Sequence, residues 1–384
     1  QDNRINAFAV PGGLIGVNTG LILAADTESE LAGVIAHEVA HVYLKHIARM
    51  IEHMGRVRLS NIAGILASII LATQNPEAGT GAMAATMAGS TQSMINFTRE
   101  NEKEADLVGI QSLAAAGFDP QGMPQFFQNM AKSTRYYGRS MPEFLQTHPY
   151  TENRFMAAKQ RANSYPYKQV PDSLEFHLIQ ARIKAADFND PKKAVDYFAS
   201  TIEKKTYRNE DGAHYGYALA LIEANKPQEA LNVVNKLISK NSNQALYQLA
   251  RAIALWQLGN KQPAIDTLES ALKNHPDNHP LTIALVNMYL RMNHNKPAIK
   301  KLLILSLDRP NDPNLYHLLS KAYNQEKDMV NSHRMEAEFR FHLGDLYGAL
   351  TQLRMAKRFA SNKDKQLIKI RAREEEIQDI IKKS

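Results

Sequence analysis

The second half of the sequence repeats itself, and this repeat restricts the possible folds more than any other feature. Ala230, Ala264 and Ala298 follow one another at equal intervals. Five residues before each alanine stands a residue that favours a turn: Asn225, Gly259 and Asn293. Apolar residues recur at helical spacing on both sides of each turn. The unit of the repeat is therefore predicted to be a helix, a turn and a second helix.

The interval between the alanines equals the period of tetratricopeptide (TPR) helix pairs, which is about 34 residues. Such a pair cannot bury its apolar faces alone, so successive pairs stack into a curved α-solenoid whose inner surface binds extended peptides or partner proteins. We predict that the TPR-repeat domain occupies residues 172–384, with less regular units at both ends. The array is interpreted as a partner-binding surface, with a purely structural scaffold as the alternative.

Composition and charge exclude several classes of protein. The hydrophobic fraction of 44% and the charged fraction of 22% indicate a folded chain. The absence of cysteine excludes disulfides, thiolate metal sites and a cysteine nucleophile. The formal net charge of +7 arises in the C-terminal part and lacks interleaved aromatic residues, so a solvated or acidic-partner-binding face is favoured over nucleic-acid binding. Any metal must therefore be held by His, Asp or Glu.

The N-terminal part has a different pattern. Two short β-prone runs, residues 6–10 and 14–19, flank a Pro-Gly-Gly sequence and predict a hairpin or an edge strand. Thr27 and Glu30 then form a candidate capping box at the start of a helix. Because single cores rarely exceed about 250 residues, a chain of 384 residues is expected to contain this N-terminal domain besides the repeats.

The predicted helix contains the sequence His37-Glu38-Val39-Ala40-His41. Two histidines four residues apart lie on one face of a helix and reach a single metal ion, for which Zn²⁺ is the usual occupant. Glu38 lies beside this face, where it can take a proton from water and deliver it to a leaving amine. A solvated helix face is the alternative. The flanking residues are apolar, however, and burying unpaired His and Glu would be costly.

A catalytic zinc site needs a third protein ligand, and a later acidic helix offers one. Glu102 and Asp106 are separated by four residues and share a face, so Glu102 can bind the metal while Asp106 accepts a hydrogen bond from a ligand histidine. Glu100 and Glu104 fall on other faces and are interpreted as solvated. Spacing alone does not separate Glu100 from Glu102. The helix is predicted to end at Gly117.

These motifs, together with the segment 147–149 and Arg154, resemble the gluzincin metallopeptidases of the HtpX and CAAX-prenyl-protease type. With its TPR array the chain is similar to the periplasmic β-barrel assembly-enhancing group of these enzymes. The resemblance implies a zincin-type metalloprotease domain in residues 1–165, α-helical with a small β edge hairpin. Because members carry a further segment before the first strand, this domain is interpreted as N-terminally incomplete. The expected fold class is thus mostly α, with the protease domain followed by the TPR α-solenoid.

The resemblance also implies roles for individual residues. It implies one Zn²⁺ per chain, with the ligands His37, His41 and Glu102 and with Glu38 as the general base. His148 is expected either to donate to the oxyanion of the transition state or to act as a fourth ligand that keeps the enzyme latent, and an ordinary loop histidine is the alternative. Arg154 is expected to hold a substrate carbonyl or the oxyanion, unless it forms a surface ion pair with Glu152. His46 would lie about 140° from the ligand face of a continuous helix and is interpreted as structural.

Residues 59–76 and 78–98 carry no charge. Polar residues and glycines interrupt both stretches, so neither is a convincing membrane-spanning helix. We predict a buried helical hairpin that seals the active-site cleft. The alternative is peripheral contact of residues 59–98 with a membrane or an apolar partner, because membrane members of the family have spanning helices in this region.

The substrate is predicted to bind as an added strand along residues 8–10 and 14–17. The resemblance implies unfolded or stalled outer-membrane β-barrel proteins as substrates, the barrel-assembly machinery as a partner of the TPR array, and a periplasmic location, with a signal peptide expected upstream of Gln1. Two alternatives remain open. One is a chaperone-like TPR adaptor with a largely latent metal site, and the other is a membrane-associated processing protease.

Overall fold

The computed structural model describes residues 2–10, 12–74, 76–137, 142–149, 151–166, 168–361 and 365–383. In these residues the chain forms two short strands and nineteen helices, which confirms the mostly α fold class. The chain divides into two compact units, residues 1–187 and 188–384. The domain boundary between residues 165 and 172 stays a prediction, and each unit is described by itself.

The first unit begins with the predicted hairpin. Strand β1 (Ala7–Val10) pairs antiparallel with strand β2 (Leu14–Val17). Gly12 and Gly13 in the turn have φ angles of +96° and +84°, a backbone region that glycine adopts without steric cost. Pro11 lies outside the described residues. The two strands form one small sheet, and all other regular structure in the described part of this unit is helical.

The helices of the first unit are α1 (Thr19–Ala24), α2 (Glu28–Tyr43), α3 (His46–Gln74), α4 (Pro76–Ala115), α5 (Gly122–Tyr137), α6 (Glu143–Thr147), α7 (Glu152–Asn163) and α8 (Leu174–Ala186). The predicted N-cap of α2 is confirmed, because the Thr27 hydroxyl accepts a hydrogen bond of 3.1 Å from the Glu30 amide. The Glu30 carboxylate reaches back one residue further than in a regular capping box and accepts from the Asp26 amide at 2.7 Å.

Helices α2, α4 and α5 enclose the core of this unit. Large buried side chains there include Ile110, Leu113, Met123, Phe126, Phe127 and Phe144. Gly109 lets α4 approach α2 closely, since a Cβ atom at this position would lie 3.2 Å from the Cα atom of His37. Helix α4 then ends at Ala115, and Gly117 has a φ of +88°, which confirms the predicted helix end.

The distal parts of α3 and α4 form a hairpin of two antiparallel helices that exposes apolar side chains. Leu59, Ile62 and Leu66 on α3 and Met87 on α4 are all at least half exposed. The prediction that this hairpin is buried is therefore wrong for these residues. A helix without charged residues has no polar face that marks its solvent side. The sequence therefore did not distinguish burial from exposure. Among the described residues, no helix is long and apolar enough to cross a membrane.

The second unit is a succession of helix pairs. Its helices are α9 (Pro191–Glu203), α10 (Glu210–Glu223), α11 (Pro227–Lys240), α12 (Ala245–Gln257), α13 (Lys261–Asn274), α14 (His279–Arg291), α15 (Asn295–Asp308), α16 (Pro313–Gln325), α17 (Met329–His342), α18 (Leu346–Phe359) and α19 (Lys365–Lys383). The three repeated alanines are completely buried between neighbouring helices: Ala230, Ala264 and Ala298. A small, fully buried residue thus recurs at the same position of each unit, which confirms the predicted repeat as a packing repeat.

The predicted turn residues adopt left-handed backbone conformations, as a tight connection between helices requires. Asn225, Gly259 and Asn293 have φ angles of 57°, 86° and 57°. Lys327, one further interval of the repeat along the chain, has a φ of 61° and adds a fourth member that the residue types did not reveal. At the C-terminal end, α19 packs Ile370 and Ile377 against α17 and α18, so the charged last helix covers the end of the array.

Candidate metal centre

Helix α2 carries the first part of the candidate site. His37 and Glu38 are almost completely buried, and the side chain of His41 is 12% exposed. The Nε2 atoms of His37 and His41 lie 2.9 Å apart, so both imidazoles converge on one point from successive turns of the helix. At Gly109, helix α4 lies directly against the backbone of His37 on α2.

Helix α4 contributes Glu102, the third ligand that the family resemblance implies. Its carboxylate oxygens lie 3.5 Å from Nε2 of His37 and 3.3 Å from Nε2 of His41. Glu100, which spacing alone could not separate from Glu102, is exposed to solvent. The fold thus brings Glu102, and not Glu100, to the two histidines of α2.

A third histidine completes the group. His148 follows α6 as its C-terminal cap, and its Nδ1 atom lies 3.2 Å from Nε2 of His37 and 3.1 Å from Oε1 of Glu102. Its Nε2 atom lies 3.3 Å from Oε1 of Glu38. One ligand atom from each of His37, His41, Glu102 and His148 falls within 4.8 Å of all the others.

The four candidate ligand side chains fit zinc. Tetrahedral ligands about 2.0–2.1 Å from Zn²⁺ are separated from one another by roughly 3.3 Å. The separations of 2.9 Å between the α2 histidines and of 3.3–3.5 Å from these to Glu102 are close to this value. Imidazole and carboxylate are ligands that zinc accepts readily. The residues therefore suit the metal that the motif predicts.

Electrostatics also favours a cation at this point. Burial lowers the pKa of His37, but the carboxylates of Asp106 and Glu102 outweigh burial and raise it to about 9. Burial raises the pKa of Glu102, yet hydrogen bonds from His148, His37 and His41 hold it well below its ordinary value. Burial dominates for His41 and His148 and lowers the pKa of both. The surroundings thus favour the ionised form of Glu102 and the neutral forms of His41 and His148, which are the forms that bind a metal.

Asp106 and Arg154 contact the candidate ligands His37 and Glu102 on the sides that face away from the metal position. Asp106 Oδ1 lies 3.0 Å from Nδ1 of His37, the geometry predicted from the four-residue spacing to Glu102. Arg154, on α7, donates to both oxygens of Asp106 at 2.6 and 2.8 Å and lies 2.6 Å from Glu102. Its side chain is 6% exposed, so Arg154 makes buried ion pairs with these two carboxylates instead of a surface pair with Glu152.

His46 and Glu104 also belong to this region, although sequence analysis assigned neither to it. Helix α2 ends at Tyr43, Lys45 has a φ of 55°, and α3 begins at His46, so the helix assumed to be continuous is broken. This break turns His46 back until its Nδ1 atom lies 2.9 Å from Nδ1 of His41. Neither glycine nor proline marks the break, and no pattern in the sequence could have revealed it.

A cavity of about 560 Å³ lies beside Glu102, between α4 and the residues Pro149, Thr151, Asn153 and Arg154. Glu102 and Arg154 form its inner wall, and Met94 and Ile95 line its apolar side. Its volume is in the range of pockets that bind small organic ligands. One of the four candidate ligands, Glu102, thus borders a cleft of mixed polarity.

Comparison with known proteins identifies relatives of both parts of the chain. Residues 1–162 match peptidase family M48, and residues 244–278 match the tetratricopeptide repeat. The chain is 40% identical to the putative beta-barrel assembly-enhancing protease of Vibrio cholerae and 36% identical to the beta-barrel assembly-enhancing protease of Escherichia coli K12. Each alignment covers 323 residues, 84% of this chain and 66% of the relative, so the chain spans just under two thirds of these relatives.

Among solved structures, the chain resembles MamA residues 41 to the end from Desulfovibrio magneticus RS-1. The TM-score is 0.34 at 18% identity, and the match covers 44% of this chain and 95% of the other. This similarity is weak.

Proposed function

We propose that the chain is a zinc-dependent endopeptidase, since its residues 1–162 match peptidase family M48. The observation that carries this proposal is the buried group of three histidines and Glu102, with Glu38 beside it. The two bacterial relatives are named as proteases, which supports the same class of activity.

His37, His41 and Glu102 would hold the zinc ion, which supplies a Lewis acid for the scissile carbonyl and lowers the pKa of water. Glu38 acts as the general base that takes a proton from the attacking water and transfers it to the leaving amine. Burial raises the pKa of Glu38, while the nearby histidines act in the opposite direction. A less acidic carboxylic acid releases its proton less readily, so the carboxylate is the stronger base.

His148 has two candidate roles. Its Nδ1 atom faces Glu102 and His37, which favours a fourth ligand that keeps the enzyme latent. Its Nε2 atom faces Glu38, within reach of groups that react there, which favours an oxyanion donor. His148→Ala distinguishes them: proteolysis rises if His148 is a latch and falls if it is a donor.

The substrate is an extended segment of an unfolded protein that pairs with the edge of the β1–β2 hairpin. The Ala9 amide in β1 contributes to the electrostatics of Glu38, so this strand passes beside the proposed base. Main-chain pairing requires little sequence preference, which suits unfolded chains. We propose outer-membrane β-barrel proteins that are unfolded or stalled as the substrates and the periplasm as the location, in line with the names of the relatives.

The TPR array would recruit these substrates or the barrel-assembly machinery. The exposed apolar hairpin within residues 59–98 supports an additional peripheral contact with a membrane. Co-sedimentation with lipid vesicles tests this contact. We expect a double substitution, Leu66→Ser and Met87→Ser, to reduce sedimentation, and unchanged sedimentation would exclude the hairpin as the contact.

The decisive experiment is cleavage of unfolded casein by the zinc-loaded protein and by Glu38→Gln. We expect Glu38→Gln to abolish cleavage while retaining zinc, and Glu100→Gln, a matched change at an exposed carboxylate on α4, to cleave normally. Equal cleavage by wild type and Glu38→Gln would exclude Glu38 as the base. Absence of cleavage by all variants would favour the TPR adaptor or a latched enzyme. Mapping the products separates degradation, with many cuts, from processing at one site.

A further inference from the structure

The side of His41 that faces away from the metal centre has a partner of its own. The Nε2 atom of His41 faces His37 and Glu102, at 2.9 and 3.3 Å. A neutral histidine that binds a metal through Nε2 must carry its proton on Nδ1. The Nδ1 atom of His41 lies 2.9 Å from Nδ1 of His46, so His46 is in position to accept that proton's hydrogen bond.

The hydrogen bonds continue beyond His46 in one direction. If its Nδ1 atom accepts from His41, the proton of neutral His46 is on Nε2, which lies 3.2 Å from Oε2 of Glu104. The same Glu104 oxygen accepts from Nη1 of Arg49 at 2.6 Å. Every donor in this row thus meets an acceptor, and the row ends in a carboxylate paired with a cation. His46 itself is 2% exposed, so water does not compete for its ring nitrogens.

The two histidines of α2 are therefore supported in different ways. His37 meets the carboxylate of Asp106 directly, at 3.0 Å. His41 reaches the carboxylate of Glu104 only through the imidazole of His46. The left-handed backbone at Lys45 is what brings the start of α3 back to His41.

We propose that His46 and Glu104 are positioning residues for zinc, which fix the ring orientation and the Nδ1-protonated tautomer of His41. This inference rests on the proposed zinc site, but it concerns metal affinity and not the choice of substrate. Partners that hold a ligand histidine from behind change metal affinity about 10- to 100-fold when they are removed.

The test measures the zinc dissociation constant of the full-length chain by competition with a chromogenic chelator. We expect His46→Leu to weaken zinc binding about 10- to 100-fold, because the Nδ1–H group of His41 loses its acceptor. His46→Gln offers an amide oxygen and an amide nitrogen and is expected to restore part of the affinity. Glu104→Ala is expected to weaken binding less than His46→Leu, and Glu100→Ala, at an exposed carboxylate on the same helix, should leave the affinity unchanged.

A second readout separates positioning from mere folding. The visible spectrum of the Co²⁺-substituted protein reports the geometry of the ligands, and we expect it to change in His46→Leu and to recover towards wild type in His46→Gln. If His46→Leu does not fold, Glu104→Ala provides the same measurement. The side chain of Glu104 is 45% exposed in the native protein, so its removal disturbs folding less. Unchanged zinc affinity and an unchanged cobalt spectrum in these variants would overturn the inference, even if their stability falls.

Failure of the positioning role and failure of the proposed endopeptidase activity give different results. If the protein binds zinc and its affinity depends on His46 as expected, but casein is not cleaved, the positioning role of His46 stands. The proposed endopeptidase activity then fails. A wild-type protein that does not bind zinc would overturn both.

Discussion

The candidate metal centre of the first unit and the helix repeats of the second unit differ in how they are stabilised. In the candidate metal centre, polar contacts join residues as far apart in sequence as His37 and Arg154. In the repeats, buried alanines recur at the interval of the repeat and, with buried leucines, pack against neighbouring helices. The comparison teaches that the candidate metal centre depends on a few interactions between distant residues, whereas the second unit distributes its stability over many equivalent local ones.

The largest expected effect follows from the buried charge of the first unit. Arg154→Met leaves the carboxylates of Asp106 and Glu102 without their cation, and we expect a loss of about 3–5 kcal/mol in the free energy of unfolding of the metal-free protein. Chemical denaturation measures this loss. The matched change Arg340→Met in the second unit removes more exposed ion pairs with Glu336 and Asp345 and should cost about 1 kcal/mol or less. Equal losses would contradict the contrast between the two units.

A buried leucine tests the second unit in the same way. Leu302 on α15 is fully buried, and Leu302→Ala is expected to cost about 2–5 kcal/mol through the lost contacts and the remaining cavity. Ile304→Ala on the same helix removes a side chain that is 57% exposed and should change stability by no more than about 0.5 kcal/mol. Denaturation monitored by circular dichroism distinguishes the two. Similar effects would mean that α15 is not packed as described.

Removal of metal should affect the first unit alone. At a free zinc concentration 100 times the dissociation constant, binding adds about 2.7 kcal/mol to the free energy of unfolding. We expect a chelator to lower the unfolding temperature of the transition that contains the metal centre and to leave the transition of the repeats unchanged in calorimetry. Glu38→Gln, which keeps all four donors, should respond to the chelator as wild type does. A shift of both transitions would show that the units do not unfold separately.

The smallest expected effect concerns the turns of the repeats. Lys327 has a φ of 61°, which costs an L-residue roughly 1–2 kcal/mol but glycine very little. Lys327→Gly should therefore raise the free energy of unfolding by about 0.5–1 kcal/mol, after the greater chain entropy of glycine is counted. The reverse change at an equivalent turn, Gly259→Ala, should lower it. Thermal unfolding measures both, and effects of equal sign would refute the argument.

The same contrast explains which features could be predicted from the sequence. The repeats were predictable because each one repeats the same local pattern around Ala230, Ala264 and Ala298. The candidate ligands were predictable in part, because four-residue spacings on a helix place His37 with His41 and Glu102 with Asp106 on common faces. Their meeting across helices rested on a resemblance and not on any local pattern.

Other features were not predictable because they depend on backbone conformation or on tertiary packing. The prediction for His46 assumed a helix that continues through Lys45, and one left-handed residue without a glycine made that assumption wrong. Glu104 is partly solvated, as predicted, with a side chain that is 45% exposed. Its contacts with His46 and Arg49 were not predictable, since both residues reach it only after the chain has turned. The uncharged stretch containing Leu59 and Leu66 is compatible with either burial or exposure, and only the packing of α3 against α4 separates the two.

The short connection between α2 and α3 has a consequence for the evolution of this protein. Leu44 and Lys45 alone separate the two helices, and each added helical residue would rotate the start of α3 by about 100°. One inserted or deleted codon would therefore separate His46 from His41, although neither histidine had changed. Lineages that keep this row of hydrogen bonds are expected to accumulate substitutions in this connection but to preserve its length. Selection here would act on the number of residues in the turn more than on their identity.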